Sequence, residues 1–124
     1  MTKDEIPTIR IEVPAEFGDA YDGAEGRQWV ERRQRISVTS IKGCQGRLFE
    51  LLKDEEAFSS LCENMANVFV DWNLEGDEGP LPKPWKSPGA FEALVESDYE
   101  LLIWVWGLTF RSMAELLDQA ESKN

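Results

Sequence analysis

The chain contains no histidine and only two cysteines, and these absences limit the chemistry it can perform. Without an imidazole, the chain has no conventional base for a catalytic triad and no group to activate Cys44 or Cys62 as a nucleophile. Its nine glycines fall in neither nucleotide-binding pattern. We therefore expect a protein that is not an enzyme and needs no cofactor. The remaining enzymatic alternative is a small hydrolase that uses paired carboxylates as acid and base.

Cysteine is also too scarce to build a structural scaffold. Two residues cannot form a multi-bridge disulfide framework, and Cys44 and Cys62 lack the paired spacing of a zinc site or a redox motif. Part of the chain resembles a calcium-binding loop: Asp71, Asn73 and Glu75 stand at its first, third and fifth positions, and Gly76 at the sixth. The twelfth position of that loop is Pro82, where a bidentate Glu must close the coordination shell. We therefore expect no metal site and a reducing compartment.

Long apolar runs and targeting signals are absent as well. Residues 101–110, LLIWVWGLTF, form the most apolar segment, yet a membrane-spanning helix needs about 20 such residues. The N-terminus, MTKDEIPTIR, carries acids where a secretory signal needs a basic stretch and then an apolar run. We expect a cytoplasmic protein with no membrane partner.

Positive charge is scarce in most of the chain. The formal net charge is -11, and residues 47–124 carry six Lys or Arg against sixteen Asp or Glu, whereas residues 1–46 are about neutral. Such a surface repels a phosphate backbone, so we expect no nucleic-acid partner. A cluster around Trp29 resembles a nucleic-acid patch with a stacking aromatic, but a solvated strand face, pairing with the chain's own acids or an intersubunit salt link explains it better. Its members are Arg27, Arg32, Arg33 and Arg35.

The chain of 124 residues is long enough to form one domain with a single core. Residues 1–46 form a strand and loop region. Residues 8–13 alternate as a half-buried strand that Pro14 ends, residues 16–26 read as a loop, and residues 28–33 and 35–41 can each be extended. We expect a small antiparallel hairpin or three-stranded sheet, followed by a turn at residues 43–46.

Residues 47–124 use mainly helix formers, which predicts an α+β fold that is predominantly helical, with about four helices. A short helix at residues 47–53 precedes an amphipathic helix at 55–72, with Cys62 on its apolar face as a buried, unreactive thiol. Residues 73–87 form a Pro/Gly loop. Ser87 and Pro88 begin a short helix through Leu94, and a capping box at residues 97–100 starts a last helix that extends to Ala120.

The last predicted helix is apolar on both sides for its first three turns. One stripe is best interpreted as the core face; it comprises Tyr99, Leu102, Ile103, Trp106, Phe110, Met113 and Leu117. The reverse side carries Leu101, Trp104, Val105 and Leu108, which we predict to be the partner-binding residues. The alternative is that the N-terminal strands or the Pro-rich loop cover this second face within the monomer.

The middle and end of the chain resemble the tail assembly chaperones of long-tailed bacteriophages, and the resemblance includes Ser87 and Pro88 and a final helical pair. In that family a helix ends in a V-x-W-N-like signature, followed by a G-x-P-L-P-like loop; residues 70–74, VDWNL, and 79–82, GPLP, match this pattern. Upstream, Trp29 and Val30 with Arg32 and Arg33 resemble the family's W-V-x-x-R segment. The matching motif positions are Trp72, Asn73, Leu81 and Pro82, which can equally be structural residues that fix how the loop leaves the helix.

The resemblance implies a mostly helical, often self-associating protein in the cytoplasm of an infected host cell, without cofactor or catalytic residues. Its partner would be the tape measure protein or another phage tail protein. Residues 104–110 are more apolar than such a helix usually needs, which leaves open a structural role in the virion or a stable oligomer. The main rival is an acidic inhibitor or immunity-type protein that blocks a basic partner surface.

Overall fold

The chain folds as an α+β protein with six helices and three small antiparallel sheets among the residues described, 3–122 of this computed structural model. The helices are α1 (Val38–Cys44), α2 (Leu48–Lys53), α3 (Glu55–Val68), α4 (Pro88–Ser97), α5 (Tyr99–Leu108) and α6 (Met113–Ser122). The strands are β1 (Thr8–Glu12), β2 (Asp22–Gly23), β3 (Gly26–Arg27), β4 (Trp29–Arg33), β5 (Phe69–Trp72), β6 (Glu75–Gly76) and β7 (Gly79–Pro80).

The main sheet has three antiparallel strands in the order β1-β4-β5. Strands at residues 8–13 and 28–33 were predicted, and their pairing places Ile11 opposite Val30. The third strand, β5, comes from a segment predicted to be helical, so the sheet is larger than a hairpin and draws on both halves of the chain. Side chains of β4 alternate: Val30 and Arg32 point inward, whereas Trp29, Glu31 and Arg33 lie on the outer face.

The predicted extended segment at residues 35–41 is wrong, because most of it belongs to α1. Ser37 is the N-cap of this helix, and its hydroxyl oxygen accepts the Ser40 backbone N–H at 3.1 Å. Such a cap satisfies an amide that the first helical turn leaves unpaired. The helix ends at Cys44, so only Gln45 and Gly46 of the predicted turn lie outside it.

The predicted helix at 55–72 is correct only as far as Val68. Asp54 caps α3 by accepting the N–H groups of Glu56 and Ala57. Beyond Val68 the sequence FVDW is β-branched and aromatic, which suits a pleated, half-buried surface. This segment becomes β5 because β4 offers it a free edge, with Val30 opposite Trp72.

The predicted continuous helix from residue 98 to 120 is also wrong. It is divided into α5 and α6 by a turn at residues 109–112. This division and the formation of α1 account for six helices where about four were expected. The shorter predictions at 47–53 and from Pro88 are confirmed as α2 and α4, although Ser87 makes no side-chain cap.

The core lies between the inner face of the main sheet and helices α3, α4 and α5. Phe91 of α4 is its aromatic centre, with ring centroids 5.1 Å from Trp72 and 6.0 Å from Phe69. All three rings are fully buried. None of the helices within residues 3–122 combines the length and the apolar character that a bilayer crossing requires.

Candidate protein-binding surface

The four residues predicted to bind a partner do not form a surface. Leu101, Val105 and Leu108 are buried in the hydrophobic core. Trp104 is half-buried, and its ring lies edge-on to Phe17 with centroids 6.4 Å apart. The prediction that this side of α5 meets a partner is therefore wrong in the form given, because the chain covers that side itself.

The cover of Trp104 comes from the N-terminal half, although from the segment predicted as a loop and not from the strands or the Pro-rich loop that the alternative interpretation named. Two 3₁₀ turns, Ala15–Phe17 and Asp19–Tyr21, bring the Phe17 and Tyr21 rings together with centroids 5.7 Å apart. The Tyr21 hydroxyl donates a 2.8 Å hydrogen bond to Asp98, whose other carboxylate oxygen caps α5 by accepting the Leu101 N–H. Burial and then the Asp98 carboxylate raise the pKa of Tyr21 to about 12. Segment 15–21 is thus fastened to the start of α5.

The stripe predicted to be the core face of this helix is largely its exposed face. Leu102 is buried and Trp106 and Met113 are half-buried, but Tyr99, Ile103, Phe110 and Leu117 are exposed. A helix that is apolar all round has no pattern to say which side faces the core. The orientation of α5 is set instead by its neighbours: the Trp106 indole donates to the Cys44 carbonyl at the end of α1.

The exposed apolar residues Tyr99 and Ile103 of α5, and Phe110 in the turn that follows it, lie on the same side of the protein as an exposed ring of α2. The Tyr99 and Phe49 rings stack with centroids 5.5 Å apart, and the Trp106 and Phe110 rings meet edge to face at 5.1 Å. Ile103 lies between the two pairs, at helical spacings of four and three residues. Exposed fractions are 58% for Phe49, 47% for Tyr99, 38% for Ile103 and 39% for Phe110. We call these four residues with Trp106 the α5 stripe.

A shallow depression borders the α5 stripe. It has a volume of about 330 Å³, and Ile103, Trp104 and Phe17 line it together with Gly107. Glu100 and Arg111 supply one charge of each sign. Sequence reasoning missed Phe49, because one exposed ring in a six-residue helix gives no periodic signal.

The motif positions have structural roles in the loop that follows β5. The buried Trp72 indole donates a 2.9 Å hydrogen bond to the carbonyl of Pro82, and the buried Leu81 donates its N–H to the Leu74 carbonyl. The Asn73 carboxamide oxygen accepts the Trp29 N–H at 2.6 Å. The loop therefore folds back on the strand it leaves, with a short hairpin of β6 and β7 at its tip.

The arginines near Trp29 are dispersed. Arg10, from the neighbouring strand, covers the Trp29 ring at 3.7 Å and also bonds to Glu31. Arg27 donates to backbone carbonyls of residues 13, 14 and 18, while the buried Arg32 donates to the carbonyls of Leu108 and Arg111. The predicted solvated face is wrong for these two. Arg33, which is half-buried, and the exposed Arg35 line one depression together.

The calcium-like residues have other partners. Asp71 forms ion pairs with Lys3 at 3.7 Å and with Lys83 at 3.3 Å. Within the described part of the chain, no group of three or more Cys, Asp or Glu side chains is arranged to hold a metal ion. Cys44 and Cys62 are both buried, as predicted for Cys62, and burial raises their thiol pKa to about 11 and about 12.

Comparison of the chain with protein-family models, curated proteins and solved structures gives no match. The interpretation of the surface therefore depends on its own geometry.

Proposed function

We propose that this protein is a non-enzymatic assembly chaperone of the phage tail type, which covers an apolar helical segment of a tape measure protein with its α5 stripe. The observation that carries the proposal is that stripe: four large apolar side chains, each at least 38% exposed, which lie on α2, on α5 and in the turn after it. Contiguous exposed apolar residues of this kind mark protein-binding surfaces. The resemblance around Trp72 and Pro82 supports the phage tail assignment.

The size of the stripe suits reversible binding. If full burial of one large side chain contributes roughly 1.5–3 kcal/mol, covering four that are about half exposed contributes about 3–6 kcal/mol before ordering costs. That range corresponds to dissociation constants near or weaker than about 0.1 mM for one protomer on one helix. Weak contacts let a chaperone coat a long client with many copies and leave it when assembly proceeds.

The acidic exterior has a supporting role in this proposal. With a formal charge of -11, copies of the chain repel one another and keep a coated client in solution. The setting would be the cytoplasm of an infected host cell, and no cofactor is required. Self-association between copies on the client is compatible with the proposal.

The acidic inhibitor remains the second candidate, favoured by a different feature. Asp77 and Glu78 at the tip of the β6-β7 hairpin line a depression of about 470 Å³ together with Glu96. A basic partner surface could dock there. Salt separates the two functions, because charge-dominated binding weakens steeply as ionic strength rises and apolar cover does not.

The test uses the gene neighbourhood. The proposal requires an adjacent, very long reading frame with helical periodicity, and its product should be soluble only when co-expressed with this chain. The double variant Ile103→Ser/Phe110→Ser should lower affinity about tenfold, since it removes about two-fifths of the exposed apolar area of the four residues. Val38→Ser is the matched control, because Val38 is an exposed hydrophobic residue outside the stripe.

Two results would contradict the proposal. One is the absence of any such reading frame beside the gene. The other is co-purification of the client with the double variant as efficiently as with the wild type and Val38→Ser. Thermal unfolding of all three chains shows whether a loss of binding reflects a loss of folding.

A further inference from the structure

A second surface, distinct from the α5 stripe, gathers unpaired positive charge. Arg33 and Arg35 line a depression of about 310 Å³ with Ile36, Ser37, Ser40 and Asn67, a lining without a carboxylate. The Arg33 guanidinium also lies 5.8 Å from the centre of the Trp85 ring, and the Lys86 ammonium lies 5.3 Å from it. Neither Trp85 nor Lys86 lines the depression, but Trp85 neighbours Arg33 and Lys86 neighbours Trp85, and we call Arg33, Arg35, Trp85 and Lys86 the basic cleft.

In a chain with 24 acidic residues, it is unusual that these cations form no ion pair among the described residues. Among the described residues, the ion pairs use Lys3, Arg10, Arg27 and Lys83, and none of the three cations of the basic cleft takes part. The contact of the Arg33 side chain with the Asn67 carbonyl is long, at 3.4 Å. Their charge is therefore available to a ligand.

The nearest carboxylates on the sheet are already neutralised. Glu31 and Asp71 lie directly opposite each other on the outer face of β4 and β5, an arrangement that is repulsive by itself. Arg10 binds Glu31 through two nitrogens, at 2.7 and 3.0 Å, and Lys3 and Lys83 flank Asp71. Glu31 and Asp71 are thus already occupied by other cations and do not pair with the cations of the basic cleft.

Lys86 is held in position by its backbone. Its φ of 53° is the single positive value at a non-glycine residue in the described chain. Its N–H donates to the Ala66 carbonyl, and the next N–H, from Ser87, donates to Pro84. Glycine or asparagine would adopt this conformation at a lower energetic cost. The backbone conformation therefore does not explain why this residue is a lysine.

We propose that the basic cleft binds a short acidic segment of a partner protein, two or three carboxylates long. Arg33 and Arg35 would bind carboxylates as charged hydrogen-bond donors, while Lys86 would add a third charge beside the ring. Trp85 keeps two of these cations oriented through cation–π contacts. The cleft lies on the end of β4 and the turn before α4, so this proposal does not depend on the α5 stripe.

The small size of the cleft argues for a peptide over nucleic acid. Charges interact strongly only within about 8 Å at physiological salt, so a short segment experiences the three cations and little of the surrounding acidity. A polynucleotide would continue past the cleft onto a surface with a net charge of -11.

The test measures binding of a fluorescent triglutamate peptide by anisotropy at physiological salt, where the surrounding acids are screened. The wild type should bind, and Arg33→Gln/Arg35→Gln should weaken binding about tenfold, because each exposed pair contributes up to ~1 kcal/mol. Lys86→Gly should weaken it severalfold without loss of stability, since glycine accepts the positive φ. The control Lys53→Gln removes one exposed charge on α2 and should bind as the wild type does.

Three results would overturn the proposal: no binding by the wild type, an equal loss in Lys53→Gln, or tighter binding of a single-stranded oligothymidine than of the peptide. Ile103→Ser separates this proposal from the chaperone function. That variant should bind triglutamate normally even though it loses apolar contact area on α5.

Discussion

Arg32 shows how a single buried charge can organise distant segments. It is 2% exposed, and its guanidinium donates to the carbonyls of Arg33, Leu108 and Arg111. Burial lowers its pKa. The Leu108 carbonyl belongs to the last residue of α5, where the helix dipole favours a cation. Arg32 therefore ties β4 to the point where the last two helices separate.

Replacing Arg32 with methionine should destabilise the fold by about 2–3 kcal/mol, because three carbonyls lose a charged donor and at least one of them is buried. Arg32→Lys should destabilise the fold less than Arg32→Met but should still be less stable than the wild type, since a lysine ammonium cannot reproduce the planar set of donors of the guanidinium. Urea unfolding measures both. Arg35→Met, at an exposed position, should change stability by less than about 0.5 kcal/mol, and a similar value for Arg32→Met would refute the role assigned to Arg32.

Tyr21 gives stability a dependence on alkaline pH. Its pKa rises from an ordinary 10.0 to about 12 in the folded protein. Between these values the unfolded chain loses the phenol proton and the native chain keeps it, so the free energy of unfolding falls as pH rises. The contribution of Tyr21 to the free energy of unfolding is fully present below pH 10.0 and is lost as the pH rises through the pKa of Tyr21 in the folded protein.

Tyr21→Phe should therefore flatten the decline in stability between about pH 10 and 12. Tyr99→Phe is the control, because it removes the chain's other tyrosine, which is exposed. The buried thiols of Cys44 and Cys62 cause a decline of the same sign that both variants share. Chemical unfolding at several pH values gives the slopes, and identical slopes for Tyr21→Phe and the wild type would rule out this linkage.

At the scale of elements, the sequence predicts those helices and strands whose conformation is determined by a local pattern of residues. Strand β1 alternates in polarity, α2 and α4 have ordinary boundaries, and the first part of α3 has one clear apolar face, so each was predictable. Residues 69–72 continue that helical pattern but also suit a sheet, and only the edge of β4, far away in sequence, decides between the two.

The error at α5 has the same origin. Both of its sides are apolar, so periodicity could not say that Leu101 and Val105 would be buried while Tyr99 and Ile103 remain exposed. The decision depends on segment 15–21 and on Arg32, neither of which carries a local signal for contacts about 80 residues away. The sequence therefore indicated that α5 is apolar on more than one side, but it assigned the buried and exposed sides the wrong way round.

At the scale of the whole molecule, charge and apolar surface are separated. The exposed apolar side chains of α2 and α5 form the α5 stripe, the acids dominate residues 47–124, and a small basic cleft interrupts them beside β4. An acidic exterior limits self-aggregation of a chain that exposes aromatic rings. This arrangement suits a protein that presents two different contacts to its partners.

The most direct test of the central claim is amide chemical-shift mapping with a synthetic amphipathic helix that has a leucine face and uncharged polar residues. At about 1 mM peptide, which matches the expected weak affinity, the largest changes should fall on Phe49, Tyr99, Ile103 and Phe110. The hairpin at Asp77 and Glu78 should be unaffected. Changes confined to that hairpin, or none at all, would contradict the account.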